Sequence, residues 1–276
     1  MTEHINPEHI KGNTYMTRLG HTDVGLYIKG NEAVLIDTGS EEVPELIRWF
    51  EDHDIKPKAI INTHLHIDHI GCNQLLCERY ACRVFASGDE IRHENDAGYT
   101  DSSGVCVNDD NGPLHIDEDA FEIISLRGHS EGHQAVVSPD GVCFLGDAVM
   151  SIDKLNKTKM PYHYDLKDSL ASMEKLQKLA TARPDFVYVI SHFGVYDRDG
   201  IIAVSEANQQ KELALMEAAA SLMDELSQKH LRHMRRDKLA SLFMDRIGIS
   251  REKQDIYWVQ ETARERVGYV CGETII

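Results

Sequence analysis

No apolar run in the chain approaches the roughly 20 residues a helix needs to cross a bilayer, and the opening stretch MTEHINPEHIKGNTY has no apolar core of the kind a secretory signal requires. There is no internal repeat, no low-complexity tract and no GxSxG element for a serine nucleophile. Positive charge is scarce: 29 Lys and Arg face 46 Asp and Glu, for a formal net charge of -17. Such a surface repels polyanions at long range, which disfavours nucleic acid as a partner and favours a small-molecule substrate. Cysteine is present but unorganised. A chain of 276 residues needs no disulfide framework, so Cys72, Cys77, Cys82, Cys106, Cys143 and Cys271 are expected to be reduced thiols. The five-residue interval of Cys72, Cys77 and Cys82 matches neither a zinc knuckle nor a common iron-sulfur spacing, and no metal role is assigned to them. A cytoplasmic protein that meets no membrane is the expectation.

Short β-branched runs punctuate the first two thirds: Val24 to Ile28, Ala33 to Ile36, Lys58 to Asn62, Arg83 to Ala86, Phe121 to Leu126, Val142 to Leu145 and Phe186 to Ile190. These read as strands. Helical periods lie between several of them, at Val43 to Asp52 and at Leu166 to Ala180, so an α/β sandwich is expected. After about Ser205 the pattern turns wholly helical, with an apolar stripe through Leu215, Ala219, Leu222 and Leu226 and a second helix near Arg251 to Arg266. A boundary near residue 205 is therefore expected, dividing a catalytic domain, 1–205, from a helical accessory domain, 206–276.

The central feature is Thr63-His64-Leu65-His66-Ile67-Asp68-His69, directly after the strand-like run ending at Asn62. Residues two apart in extended backbone point the same way, so His64 and His66 can grip one ion together. Asp68 and His69 follow once the strand has ended, where a turn redirects them toward a second ion. His129, Asp147 and His192 each come just after a separate apolar run, so strand ends converging on one rim would gather all seven. Neutral imidazoles and carboxylates suit zinc, and also manganese or iron, with coordination positions left open.

These motifs resemble the metallo-β-lactamase superfamily over roughly residues 12 to 195. The likeness takes in HxHxDH at His64 to His69, LIDTG at Leu35 to Gly39, GHSEGH at Gly128 to His133, LGD at Leu145 to Asp147, and His192. It implies an αββα sandwich in which His64, His66 and His129 hold one metal, Asp68, His69 and His192 the other, and Asp147 bridges both. In style the motifs are closest to the glyoxalase II and lactonase-like branches, which points to hydrolysis of an ester or thioester, lactones included.

Two divalent ions sharing a water would lower its pKa toward neutrality and present hydroxide to an electrophilic carbon. Asp68 would orient that hydroxide or move its proton, and Asp147 would hold the ions together. Rival readings are a persulfide dioxygenase-like oxidoreductase with one iron, a metal-dependent phosphodiesterase or nuclease, and a metal-binding sensor without turnover. Asp37 of LIDTG is read either as an orienting partner of a ligand histidine or as a turn aspartate. His133, four residues past His129, is read either as lying near the pocket or as a packing or surface residue, Tyr162 and Tyr164 either as donors to a carbonyl oxygen or as packing or surface residues, and His163 is given no role. The polar segment Gly88 to Pro113, with Tyr99, is a candidate lid. The basic cluster Lys229, Arg232, Arg235, Arg236 and Lys238 reads as a solvated helix face. The apolar C-terminal helices could cover the main domain or form a homodimer.

Overall fold

Each of the seven strand-like runs coincides, to within two residues at either end, with a strand of the computed structural model, which describes residues 5–40, 43–97, 105–226, 236–254 and 257–271. The first sheet is ordered β1 (Glu8–Lys11), β2 (Thr14–Leu19), β3 (Thr22–Lys29), β4 (Glu32–Ile36), β5 (Lys56–Ile61), β6 (Arg83–Ser87), β7 (Val105–Asn108). Pairing is antiparallel as far as β4 and parallel from β4 to β7. The second sheet contains β8 (Asn111–Ile116), β9 (Asp119–Ser125), β10 (Gln134–Val137), β11 (Val142–Phe144), β12 (Val187–Ile190) and β13 (Gly194–Tyr196), with β11 and β12 parallel.

Alternating side chains divide the strands between cores, as period-two geometry requires. In β4, Ala33 and Leu35 face helices α1 (Pro44–Asp52) and α3 (Asn73–Tyr80), while Val34 and Ile36 face the other sheet. In β12, Val189 faces inward, whereas Tyr188 and Ile190 pack under α6 (Leu166–Ala182) and the start of α7 (Arg198–Glu225). The result is helix, sheet, sheet, helix: the expected αββα sandwich with a C-terminal helical region. That region adds the rest of α7, α8 (Arg236–Arg246), α9 (Arg251–Gln254) and α10 (Tyr257–Cys271), around a core of its own containing Leu215, Leu222, Phe243 and Val267.

The division expected near residue 205 falls inside α7, which runs unbroken from Arg198 to Glu225. Ile201 and Val204 belong to the sandwich core, and Leu215 and Leu222 to the C-terminal core. The candidate lid contains α4 (Gly88–Ala97) and β7, whereas Tyr99 lies outside the described residues. Lys229, Arg232 and Arg235 also lie outside them; Lys238 is exposed on α8. Cys72, Cys77, Cys82, Cys106 and Cys143 are free thiols, and burial pushes Cys82 up to about 12. Among the described residues no helix is long and apolar enough to cross a membrane.

Between the sheets, the Phe144 ring lies directly over Gly25, where any Cβ would come within 2.6 Å of it. Phe144 is buried to 2% exposure. Phe144→Ala should therefore open an inter-sheet cavity and lower stability by about 3 to 5 kcal/mol, measured by guanidinium denaturation.

Candidate metal centre

One rim of the sandwich receives the carboxyl ends of β4, β5, β6, β11 and β12, and the chain just beyond each of them supplies polar side chains. β5 ends at Ile61, and the chain runs through Asn62 to Leu65 to reach α2 (Ile67–Ile70), which carries Asp68 and His69, with an extended His66 at its N-cap. His129 follows β9, Asp147 follows β11 and His192 follows β12.

All seven expected ligands converge. Donor atoms of His64, His66 and His129 lie within 4.8 Å of one another, and so do those of Asp68, His69, Asp147 and His192. Asp147 faces both groups: Oδ1 is 3.3 Å from His192 Nε2 and 3.5 Å from His69 Nε2, while Oδ2 is 3.7 Å from His129 Nε2. His64 Nε2, His69 Nε2 and Asp147 Oδ1 are buried without a hydrogen-bond partner. Buried polar atoms are ordinarily satisfied. Orphaned nitrogen and oxygen atoms aimed at one small space fit divalent cations.

The far sides of His64, His69 and His192 are tethered. Thr63 Oγ1 donates to Asp37 Oδ2 at 2.7 Å, so its remaining capacity accepts from His64 Nδ1 at 3.1 Å, which leaves His64 Nε2 as a lone pair. Asp37 also accepts from Thr63 N and, at 2.8 Å, from His69 Nδ1. Of the two roles expected for Asp37, the orienting one describes its contacts; it adopts φ +59° to make them. His192 Nδ1 donates to the His21 carbonyl at 2.7 Å.

Two further residues hold the centre together, and only Glu90 escapes the sequence reading. His133 is fully buried rather than at the surface, and its Nε2 accepts from the Asp147 backbone N–H at 3.1 Å while Nδ1 donates to the Leu126 carbonyl. Burial pushes it down to about 4, which keeps it neutral and able to accept. Gly146 permits that approach: it has φ +53°, and a Cβ there would meet His133 Nε2 and Thr63 Oγ1 at 2.6 Å. Glu90, on α4, is also fully buried. Its carboxylate accepts from Leu65 N at 3.1 Å, Ser130 Oγ at 2.7 Å and Gly132 N at 2.8 Å, so one side chain ties the loop bearing His64 and His66 to the loop bearing His129. The second histidine of GHSEGH was a visible signal for His133; nothing in the sequence marked Glu90.

The two groups differ in charge. Burial and neighbouring histidines hold His64 well below its ordinary value, and burial also lowers His129. Burial opposes charge on His69 as well, but Asp37 and Asp147 outweigh it and raise His69 to about 10. For His192, burial likewise opposes charge, but the close carboxylates of Asp147 and Asp68 outweigh it and raise it to about 11. A cleft of about 440 Å³ opens over the centre, with His129, Asp147 and His192 in its floor and Met150, Tyr162 and Phe193 in its walls. A larger hollow of about 760 Å³ beside Asp89 and Asp110 gathers none of these ligands.

Histidine and aspartate ligands at the strand ends of an αββα sandwich define a metal-dependent class of protein. The chain belongs to the metallo-beta-lactamase superfamily, whose family model matches residues 17–192. It is 31% identical over 131 residues to a hydroxyacylglutathione hydrolase of Prochlorococcus marinus (strain MIT 9301), covering 46% of this chain and 50% of that protein. With the hydroxyacylglutathione hydrolase GloC of Haemophilus influenzae it shares 25% over 173 residues, 58% of this chain and 79% of that one. The chain thus spans about half the length of several curated relatives it matches. The names of these relatives support a likeness to the glyoxalase II-like branch of the superfamily. In fold it is similar to a beta-lactamase domain protein from Burkholderia ambifaria, with TM-score 0.66, 16% identity and coverage of 97% of this chain and 89% of that one. A metallo-beta-lactamase from Pontibacter korlensis gives TM-score 0.60 at 19% identity, covering 74% and 99%.

At pH 7, below the raised values of His69 and His192, the ion-free second group carries protons that a cation must displace, whereas the three-histidine group does not. Calorimetric titration of ion-free protein in buffers of different ionisation enthalpy should show proton release confined to one metal equivalent, whose affinity rises with pH up to about 11. Glu90→Gln removes the charge that gathers three donors, and should weaken metal binding by about 10- to 100-fold, read by competition with a chromophoric chelator.

Proposed function

We propose that this protein is a binuclear metal-dependent hydrolase that cleaves the thioester, or a related ester or lactone, of a small substrate. The observation that supports this most directly is the two-sided carboxylate of Asp147, one oxygen facing His69 and His192 and the other His129. We assign His64, His66 and His129 to one ion, Asp68, His69 and His192 to the other, and Asp147 to both, with zinc as the ion and iron or manganese as alternatives. Two such ions supply Lewis acidity and lower the pKa of water.

The chain's own residues do the rest. Asp68 is the most exposed of the carboxylates, 39% accessible, and its Oδ2 lies 3.4 Å from His192 Nε2. Burial would raise its pKa, but the contacts with His192 and His69 hold it below the ordinary value, so it stays a carboxylate able to orient water and take its proton. Thr63, Asp37, His21 and His133 fix ligand orientation before substrate arrives. Arg18, paired with Asp23, and Lys154 line the cleft, and in a chain of net charge -17 the Lys154 ammonium suits a substrate with an anionic portion. That chemistry agrees with the names of the curated relatives and with a cytoplasmic small-molecule enzyme that needs no nucleic acid or membrane partner.

Metal analysis should give about two equivalents per chain. A screen of metal-loaded protein against thioesters, lactones, β-lactams and phosphodiesters should find thioester turnover fastest, with Asp147→Ala slower by about 1,000-fold or more. A single iron accompanied by oxygen uptake would overturn the proposal. Lys154→Ala should raise KM several-fold for a thioester of a carboxylate-bearing thiol and leave a neutral analogue unchanged.

A further inference from the structure

The segment that forms one wall of the cleft, Met160 to Asp165, has no regular secondary structure, yet it is fastened at almost every residue. The Met160 side chain is buried among Leu215, Leu222, Phe243 and Val267 of the C-terminal core. The Pro161 carbonyl accepts from Arg266 Nη2 at 2.9 Å. His163 Nε2 lies 3.2 Å from Glu212 Oε1, and its Nδ1 lies 2.8 Å from Ser169 Oγ. Tyr164 N and Asp165 N both donate to the carbonyl of Gly128, the residue before His129. Between these anchors the Tyr162 ring sits 5.4 Å from the His129 ring and 6.3 Å from that of His66.

At the centre of the fastening is an ion pair with no solvent exposure at either end. Arg266, on α10, lies 2.6 Å from Glu212, on α7. Burial would raise the Glu212 pKa, but Arg266 and His163 outweigh it, so the carboxylate keeps its charge. Buried pairs are costly to desolvate, and apolar side chains of similar volume often serve stability equally well. What an apolar pair does not provide is direction: Arg266 reaches Thr262, Glu212 and Pro161 with one planar fork, and Glu212 passes that constraint to His163. One turn earlier on α7, Asn208 Nδ2 donates to the Met150 carbonyl and its Oδ1 accepts from Met150 N, three residues beyond Asp147. The helical region thus grips both chain segments that wall the cleft.

We infer that the buried Arg266–Glu212 pair, acting through Pro161 and His163, is a positioning device that sets Tyr162 against the ligand histidines and so fixes the size of acyl group the cleft admits. The acyl group seats on Met150, Pro161, Tyr162 and Phe193, which line the cleft beside His129 and Asp147. Arg266 and Glu212 touch neither metal ligands nor substrate. The acyl-group part rests on the thioesterase reading; the positioning part does not.

The test is the paired substitution Arg266→Met with Glu212→Leu, which removes both charges and leaves neither partner stranded, compared with Tyr162→Ala. In the ion-free double variant, amide hydrogen exchange at Tyr164 and Asp165 should accelerate at least 10-fold, with β5 and β12 still protected. Unchanged exchange there overturns the positioning role whatever the enzyme hydrolyses. In metal-loaded protein, KM across thioesters of one thiol with acetyl, hexanoyl and phenylacetyl groups should lose its dependence on acyl size in both variants, with metal content intact and kcat for the acetyl ester within about twofold in the double variant. Preserved size dependence overturns the specificity role. Should the native protein hydrolyse none of these, the thioesterase reading fails; acetate, hexanoate and phenylacetate affinities of native and variant protein then decide the specificity role by the same criterion. A double variant that fails to fold is replaced by Glu212→Gln, which keeps the volume and is held to the same exchange and size readouts.

Discussion

Leaving a buried polar atom without a partner costs about 1 to 3 kcal/mol, and this rim holds three: His64 Nε2, His69 Nε2 and Asp147 Oδ1. The surrounding structure is organised to keep those atoms uncommitted while satisfying everything adjacent to them. Asp37 takes up the donors of Thr63 and His69, Thr63 takes up the inner nitrogen of His64, and His133 takes up the backbone N–H of Asp147. Each of these bonds turns a ring or a peptide so that its other side has nowhere to point except the centre. The left-handed backbone of Asp37 and Gly146 is part of the same constraint, since both conformations serve contacts that the ligands require.

The sandwich was legible because its central strands are buried on both faces. Runs such as Lys58 to Asn62 and Phe186 to Ile190 need apolar, β-branched residues whatever surrounds them. Strands β1, β2, β7, β8, β10 and β13 were not recognised, because they are short or partly exposed and their composition is governed by neighbours. The helical region was visible as a stripe, but its junction was placed inside α7, where the apolar residues simply change which core they enter.

The centre divides along similar lines. Ligands at strand ends have a local grammar, since the spacing of His64, His66, Asp68 and His69 is dictated by a strand giving way to a turn, and that grammar can be read. Residues that hold the ligands from behind have none. Glu90 lies about 25 residues from the backbone it anchors at Leu65 and about 40 from Ser130, and its neighbours in sequence form an unremarkable polar helix turn. Arg266, Glu212 and His163 come from three distant parts of the chain. Only folding brings such groups together, so spacing holds no trace of them.

The unbroken course of α7 bears on how such a protein can change over generations. Its early turns are seated under the second sheet by Ile201 and Val204, and its later turns carry Asn208, Glu212 and Leu215 toward the cleft wall and the C-terminal core. One inserted or deleted residue between these stretches would rotate everything beyond it by about 100° and shift it by about 1.5 Å. Gradual diversification along this helix is therefore confined to point substitution, and any lineage that altered its length would have to rebuild the wall of the cleft at the same step.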